Sequence, residues 1–121
     1  MSINWTQIEM LTLLEETAEE SILQEMISIY ETQMPEITQQ IEAAIKADEF
    51  IEASEFAHKL KSSAGNLGFS DVEARCLMIE REARKKSAIN YLNVVDEIRF
   101  YSHEALEEVR RYLERQRTNA A

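Results

Sequence analysis

Apolar side chains recur along most of this chain at steps of three and four residues, the period of a helix with one buried face, and no segment shows pairing signals for strands. The clearest run lies between Asp48 and Gly68, where Phe50, Ala53, Ala57, Leu60, Ala64 and Leu67 form a single stripe. A helix is expected there, capped by Asp48 and ended by Gly68, a residue free to take positive φ. Upstream, Trp5, Ile8, Leu11 and Leu14 predict a short N-terminal helix lying as a lid on one end of the fold, with Asn4 and Gln7 as its capping pair. Thr17 and Glu20 have the spacing of a capping box for the next helix. Its stripe runs Ile22, Leu23, Met26, Ile27, Tyr30 and Met34, then resumes after Pro35 at Ile37, Ile41, Ala44 and Ile45. Proline lacks a backbone donor and crowds the preceding turn, so a kink or break is expected at Pro35, with the helix finishing near Ala47.

After a very short turn, Ser70 and Glu73 form another capping box for a helix that points Val72, Cys76, Ile79 and Ala83 inward. That helix ends in Arg84, Lys85 and Lys86, cations that suit the negative end of a helix dipole. Ser87 is expected to cap the last helix, whose stripe is Leu92, Val95, Ile98, Ser102, Leu106, Val109 and Leu113. A polar, frayed tail is expected from Arg115, the bundle proper covering about 17–116 and the tail 117–121. Four amphipathic helices with short connections predict an all-α fold: an antiparallel up-and-down four-helix bundle with a short N-terminal extra helix, as one domain over 1–121.

Composition narrows the function. Thirteen basic against 23 acidic residues, a formal net charge of -10, argue against nucleic acid and anionic membrane surfaces, both of which are held through Lys and Arg. No apolar stretch approaches the roughly 20 residues needed to cross a bilayer, and no leader pattern is present, so a soluble cytoplasmic monomer is expected. Cys76 is the sole cysteine and reads as a small core residue. Trp5 and the tyrosines at 30, 91, 101 and 112 read as packing, and His103 as a surface residue.

The candidate chemistry sits on the central helix. His58 falls just off the apolar stripe, and Ser54, Glu55, Lys61, Ser62 and Gly65 are its neighbours at three, four and seven residues. An exposed imidazole can be a general base, a metal ligand, a nucleophile or an ordinary surface group. Glu55 and His58 have the Glu-x-x-His spacing of di-iron bundles, but the second such pair that a di-iron centre needs is missing, so no metal site is expected. Pairing with Cys76 as a nucleophile fails because that thiol is expected inward on another helix, with no third group to orient the base. Phosphorylation of the ring fits better: Lys61, the one nearby cation, and Ser62 can meet the charge that a phosphoryl group brings. No Gly-rich phosphate loop is present, so the donor and the catalytic machinery must come from another protein.

The run Ala57, His58, Lys59, Leu60, Lys61, Ser62, Ser63, Ala64, Gly65, Asn66, Leu67, Gly68 resembles the signature of the histidine-containing phosphotransfer (HPt) family, and the helical layout around it does too. The resemblance implies a phosphorelay carrier without kinase activity of its own. It would accept a phosphoryl group on His58 from a receiver-domain aspartate of a hybrid sensor kinase and pass it to the receiver domain of a response regulator. Lys61 takes the phosphoryl-stabilising role of the matching family lysine, Ser62 stands where the family often has Gly, and Ser54, Glu55, Lys59 and Gly65 would form the docking surface. No cofactor is expected on this chain; Mg²⁺ would sit in the partner receiver. The alternative is a helical interaction module that binds and blocks a partner without being phosphorylated, but such a module has no reason to keep both His58 and Lys61.

Overall fold

The computed structural model describes residues 3–13 and 22–120, apart from the side chains of 12, 13 and 117–120. Leu14 and the expected capping box of Thr17 and Glu20 lie outside the described residues. Within them the chain is all-helical, with five helices: α1 (Trp5–Leu13), α2 (Ile22–Lys46), α3 (Phe50–Asn66), α4 (Ser70–Arg84) and α5 (Tyr91–Ala120). Contacts run from α2 to α3, α3 to α4, α4 to α5 and α5 back to α2, so four helices close a ring around one core.

That core is built from the residues whose spacing announced it. Ala53, Ala57, Leu60 and Ala64 of α3 are fully buried, as are Ile41 of α2, Val72, Cys76, Ile79 and Ala83 of α4, and Val95, Ile98 and Val109 of α5. The three alanines of α3 are small, which lets its neighbours approach closely, and α3 is packed most extensively against α4. At the core's centre Tyr30 meets Phe69 edge-on with ring centroids 5.2 Å apart, and its hydroxyl is hydrogen-bonded to Ser102 at 2.6 Å. Burial pushes the Tyr30 phenol well above its ordinary range, so it stays a neutral partner.

Several expected boundaries move. α2 passes through Pro35 without a break; Pro35 is exposed, and the Thr38 hydroxyl donates to the carbonyls of Met34 and Pro35 at 2.9 and 3.0 Å. Asp48 does not cap α3. Its φ of 58° and its N–H bond to the Ile45 carbonyl make it part of the turn that ends α2, and Glu49 stands at the N-cap with no side-chain cap bond. Ser70 is likewise not a capping-box residue: it is the first residue of α4, with Phe69 before it, and its hydroxyl donates back to the Gly68 carbonyl. α5 starts at Tyr91 rather than just after Ser87, and Asn90 Oδ1 accepts the N–H of Asn93 at its entrance. Tyr91 and Val94 are buried while Leu92 is exposed, so the apolar stripe enters α5 one residue earlier than expected. Ile22 is also exposed. The expected tail is helical to Ala120, since Glu, Arg and Gln are good helix formers and no Gly or Pro interrupts them.

α1 lies across the corner where α3 turns into α4. The Asn4 N–H donates to the Gly68 carbonyl at 2.7 Å, Ile3 bridges to Phe69, Gln7 donates to the Asn66 carbonyl, and Trp5 stacks at a tilt on Tyr112. Gly68 has φ of +72°, and a Cβ there would fall 2.9 Å from the Asn4 carbonyl oxygen, so both backbone conformation and the passing chain require glycine.

Candidate functional site

His58 stands on α3 two residues before the buried Leu60 and one after the buried Ala57, and its side chain is 57% exposed. The flank of α3 beside it faces α4, and there a carboxylate waits. Glu80 of α4 is only 7% exposed, yet both of its oxygens are engaged: Oε2 accepts from His58 Nδ1 at 2.8 Å and Oε1 from Lys61 Nζ at 2.6 Å. Burial alone would raise the pKa of this carboxyl; the hydrogen bonds and positive charge from Lys61 and His58 outweigh it and hold the group below the ordinary carboxylate value. Glu80 is therefore ionised at neutral pH and can only accept hydrogen bonds, so the proton of a neutral His58 ring sits on Nδ1. Nε2 is left with its lone pair.

A second layer braces this arrangement. Arg84, one turn after Glu80, places Nη2 3.6 Å from Glu80 Oε2, and its Nε donates to the Ser54 hydroxyl at 2.9 Å. That hydroxyl donates in turn to the Glu80 main-chain carbonyl at 3.0 Å. Ser54 is therefore not on the exposed ridge with His58, as its position four residues earlier suggested. It is fully buried, because α4 covers the flank of α3 that carries Ser54 and Lys61, seven residues apart. Lys61 is half-buried and paired, rather than a solvated cation beside the ring. Nor is it the one nearby cation: Arg84, expected only as a helix-end charge, shares its carboxylate.

The remaining expected residues differ in exposure. Glu55, Lys59 and Ser62 are exposed, and the Ser62 hydroxyl donates to the His58 main-chain carbonyl at 3.2 Å, the back-bond usual for serine inside a helix. Gly65 is half-buried and partly covered by the Glu73 carboxylate, which lies against the position a Cβ would take. Ser63 is tied to Gln33 across the α2–α3 groove, and His103 pairs with Glu107 far along α5. Cys76 is buried, and burial pushes its thiol up to about 12, which leaves it unreactive. Among the described residues no three His, Cys, Asp or Glu side chains are grouped to hold a metal ion.

Glu80 is the functional residue that the sequence reading missed. The signal was present: on α4 it stands four residues after Cys76 and three before Ala83, a carboxylate inside an apolar stripe. A buried charge needs a partner, and the helix packed against that face carries both a histidine and a lysine.

A family model for the Hpt domain matches residues 25–119, a span that contains α3 and α4 whole. No curated protein and no solved structure matches the chain significantly. With the match covering most of the chain, including the helix that carries the exposed histidine and the helix that braces it, this protein belongs to the Hpt domain family, whose members work with receiver domains in phosphorelays.

Proposed function

We propose that the protein is the histidine phosphotransfer carrier of a two-component phosphorelay, with His58 as the residue phosphorylated, on Nε2. The observation that carries this reading is the bond from His58 Nδ1 to the buried Glu80, which leaves the exposed nitrogen as the nucleophile. The Nε2 lone pair attacks the phosphorus of an aspartyl phosphate on a receiver domain of a hybrid sensor kinase. The P–O bond to the aspartate breaks, the aspartate leaves as a carboxylate, and the ring becomes a phosphoimidazolium whose positive charge faces Glu80. No proton has to leave. The same steps in reverse, on the receiver domain of a response regulator, discharge the group.

Lys61 lies one turn from His58 on a four-carbon stem, and it meets the charge of the phosphoryl group; Ser62 borders the same space. Glu55, Lys59 and Gly65 form the docking face on which a receiver settles. The one buried carboxylate of the site is already shared among an imidazole, an ammonium and a guanidinium, which supports a carrier that does not hold Mg²⁺ at this site. The receiver supplies the ion together with the reacting aspartate. The reading takes the chain as one antiparallel bundle over 1–121, acting as a monomer in the cytoplasm. No described helix is long and apolar enough to cross a membrane.

Incubation with a phosphorylated receiver should label the protein with a bond that is lost in acid and kept in alkali, as expected of a phosphoramidate. His58→Gln should take no label while keeping its helical circular dichroism. Label on that variant would refute the assignment.

A further inference from the structure

Charge at the site does not balance once a phosphoryl group arrives. In the resting protein Glu80 is held by His58 and Lys61, and it cancels the charge of Lys61. A dianionic phosphoryl group on Nε2 competes for the same ammonium, and the lysine that turns to it leaves Glu80 Oε1 without its partner. A carboxylate only 7% exposed is costly to leave that way. Arg84 is placed to prevent it. Its Nη2 approaches Oε2, the oxygen that also accepts from His58 Nδ1, so the guanidinium contacts the carboxylate at the end bonded to the ring and not at the end bonded to Lys61. Its Nε is fixed by the buried Ser54, whose hydroxyl is itself fixed to the main chain of Glu80. The guanidinium is thus positioned before the phosphoryl group comes, and it needs no rearrangement to remain when Lys61 leaves.

We infer that Arg84, held by Ser54, is a positioning residue that keeps Glu80 ionised and bonded to His58 while Lys61 is transferred to the phosphoryl group. The inference rests on the phosphocarrier reading above. It assigns Arg84 an effect that passes through Glu80, not a contact with the phosphorus.

Phosphoramidate serves as donor, so that no docking partner enters: its P–N bond breaks, the P–N bond to His58 Nε2 forms, and ammonia leaves. The equilibrium occupancy of His58, read by ³¹P NMR at a fixed ratio of phosphoramidate to ammonium, should fall roughly tenfold in Arg84→Gln, the order of effect expected when a largely buried carboxylate loses one charge-assisted contact. Arg84→Lys, which keeps the charge, should stay within about twofold of wild type, and it also guards against a folding defect in the Gln variant. In a Glu80→Gln background, the further change Arg84→Gln should have almost no effect. An undiminished tenfold loss in that background would overturn the inference, since Arg84 would then act on the phosphoryl group directly. Equal occupancy in wild type and Arg84→Gln would overturn it as well. Absence of any phosphorus signal on wild-type His58 would instead count against the carrier function itself.

Discussion

Two of the buried polar centres among the described residues are built in opposite ways. Tyr30 and Ser102 join α2 to α5 through one hydrogen bond between neutral hydroxyls, with both residues almost wholly out of water. Glu80 joins α4 to α3 through a charged network whose other members reach the surface: the side chains of His58 and Arg84 are more than half exposed. The first pair is closed, and no group on it can take part in chemistry without unfolding the core. The second is open on one side, so its buried carboxylate can act on a ring that a partner can touch. Burial of a polar group therefore marks structure in one place and function in the other, and exposure of the partner is what separates them.

Substitutions can break this comparison from either end. The largest effect should come from neither centre but from the apolar stripe beneath His58: Leu60→Ala should lower the unfolding free energy by roughly 2 to 5 kcal/mol in denaturant titrations, with the folded fraction still phosphorylated normally. Next, Tyr30→Phe removes one hydroxyl of the closed pair and strands the other, which should cost about 1 to 3 kcal/mol and leave phosphorylation unchanged. A transfer defect in that variant would mean that the closed pair is coupled to the site.

Glu80→Gln should show the reverse balance. The amide can still accept from His58, and both cations can turn to water, so the stability loss at neutral pH should be only about 1 kcal/mol while phosphoryl transfer slows. Its pH dependence has a definite sign. The Glu80 carboxyl titrates below its ordinary value of 4.5 in the folded protein, so its stabilising contribution is complete at neutral pH and is lost as the pH falls below that value. Urea titrations of wild type and variant should therefore converge in acid; a gap that widened would contradict the direction of the shift. The smallest effect is expected from Ser62→Gly, which costs up to about 1 kcal/mol of helix stability. Transfer should stay within a few-fold, and a larger loss would make Ser62 a phosphoryl contact.

How far the sequence could be read follows from the same contrast. The stripe of α3 and the exposure of His58 were legible because both depend on helical period alone. Ser54 was misplaced because period gives the angle of a residue on its own helix but not which neighbour covers that angle. Glu80 was missed for the same reason: its meaning depends on α4 packing against the flank that carries Lys61. The caps failed locally. Asp48 has the chemistry of an N-cap but takes a left-handed conformation in closing α2, and Ser87 is separated from Tyr91 by a turn whose length its own residue type does not set.

The central claim is that Glu80 fixes the His58 tautomer and so leaves Nε2 as the nucleophile. Long-range ¹H–¹⁵N correlation NMR on the protein, before and after phosphorylation, tests it most directly. The account predicts a neutral ring protonated at Nδ1 before phosphorylation, and a phosphorus coupling to Nε2 after it. A resting ring protonated at Nε2, or phosphorus on Nδ1, would contradict it.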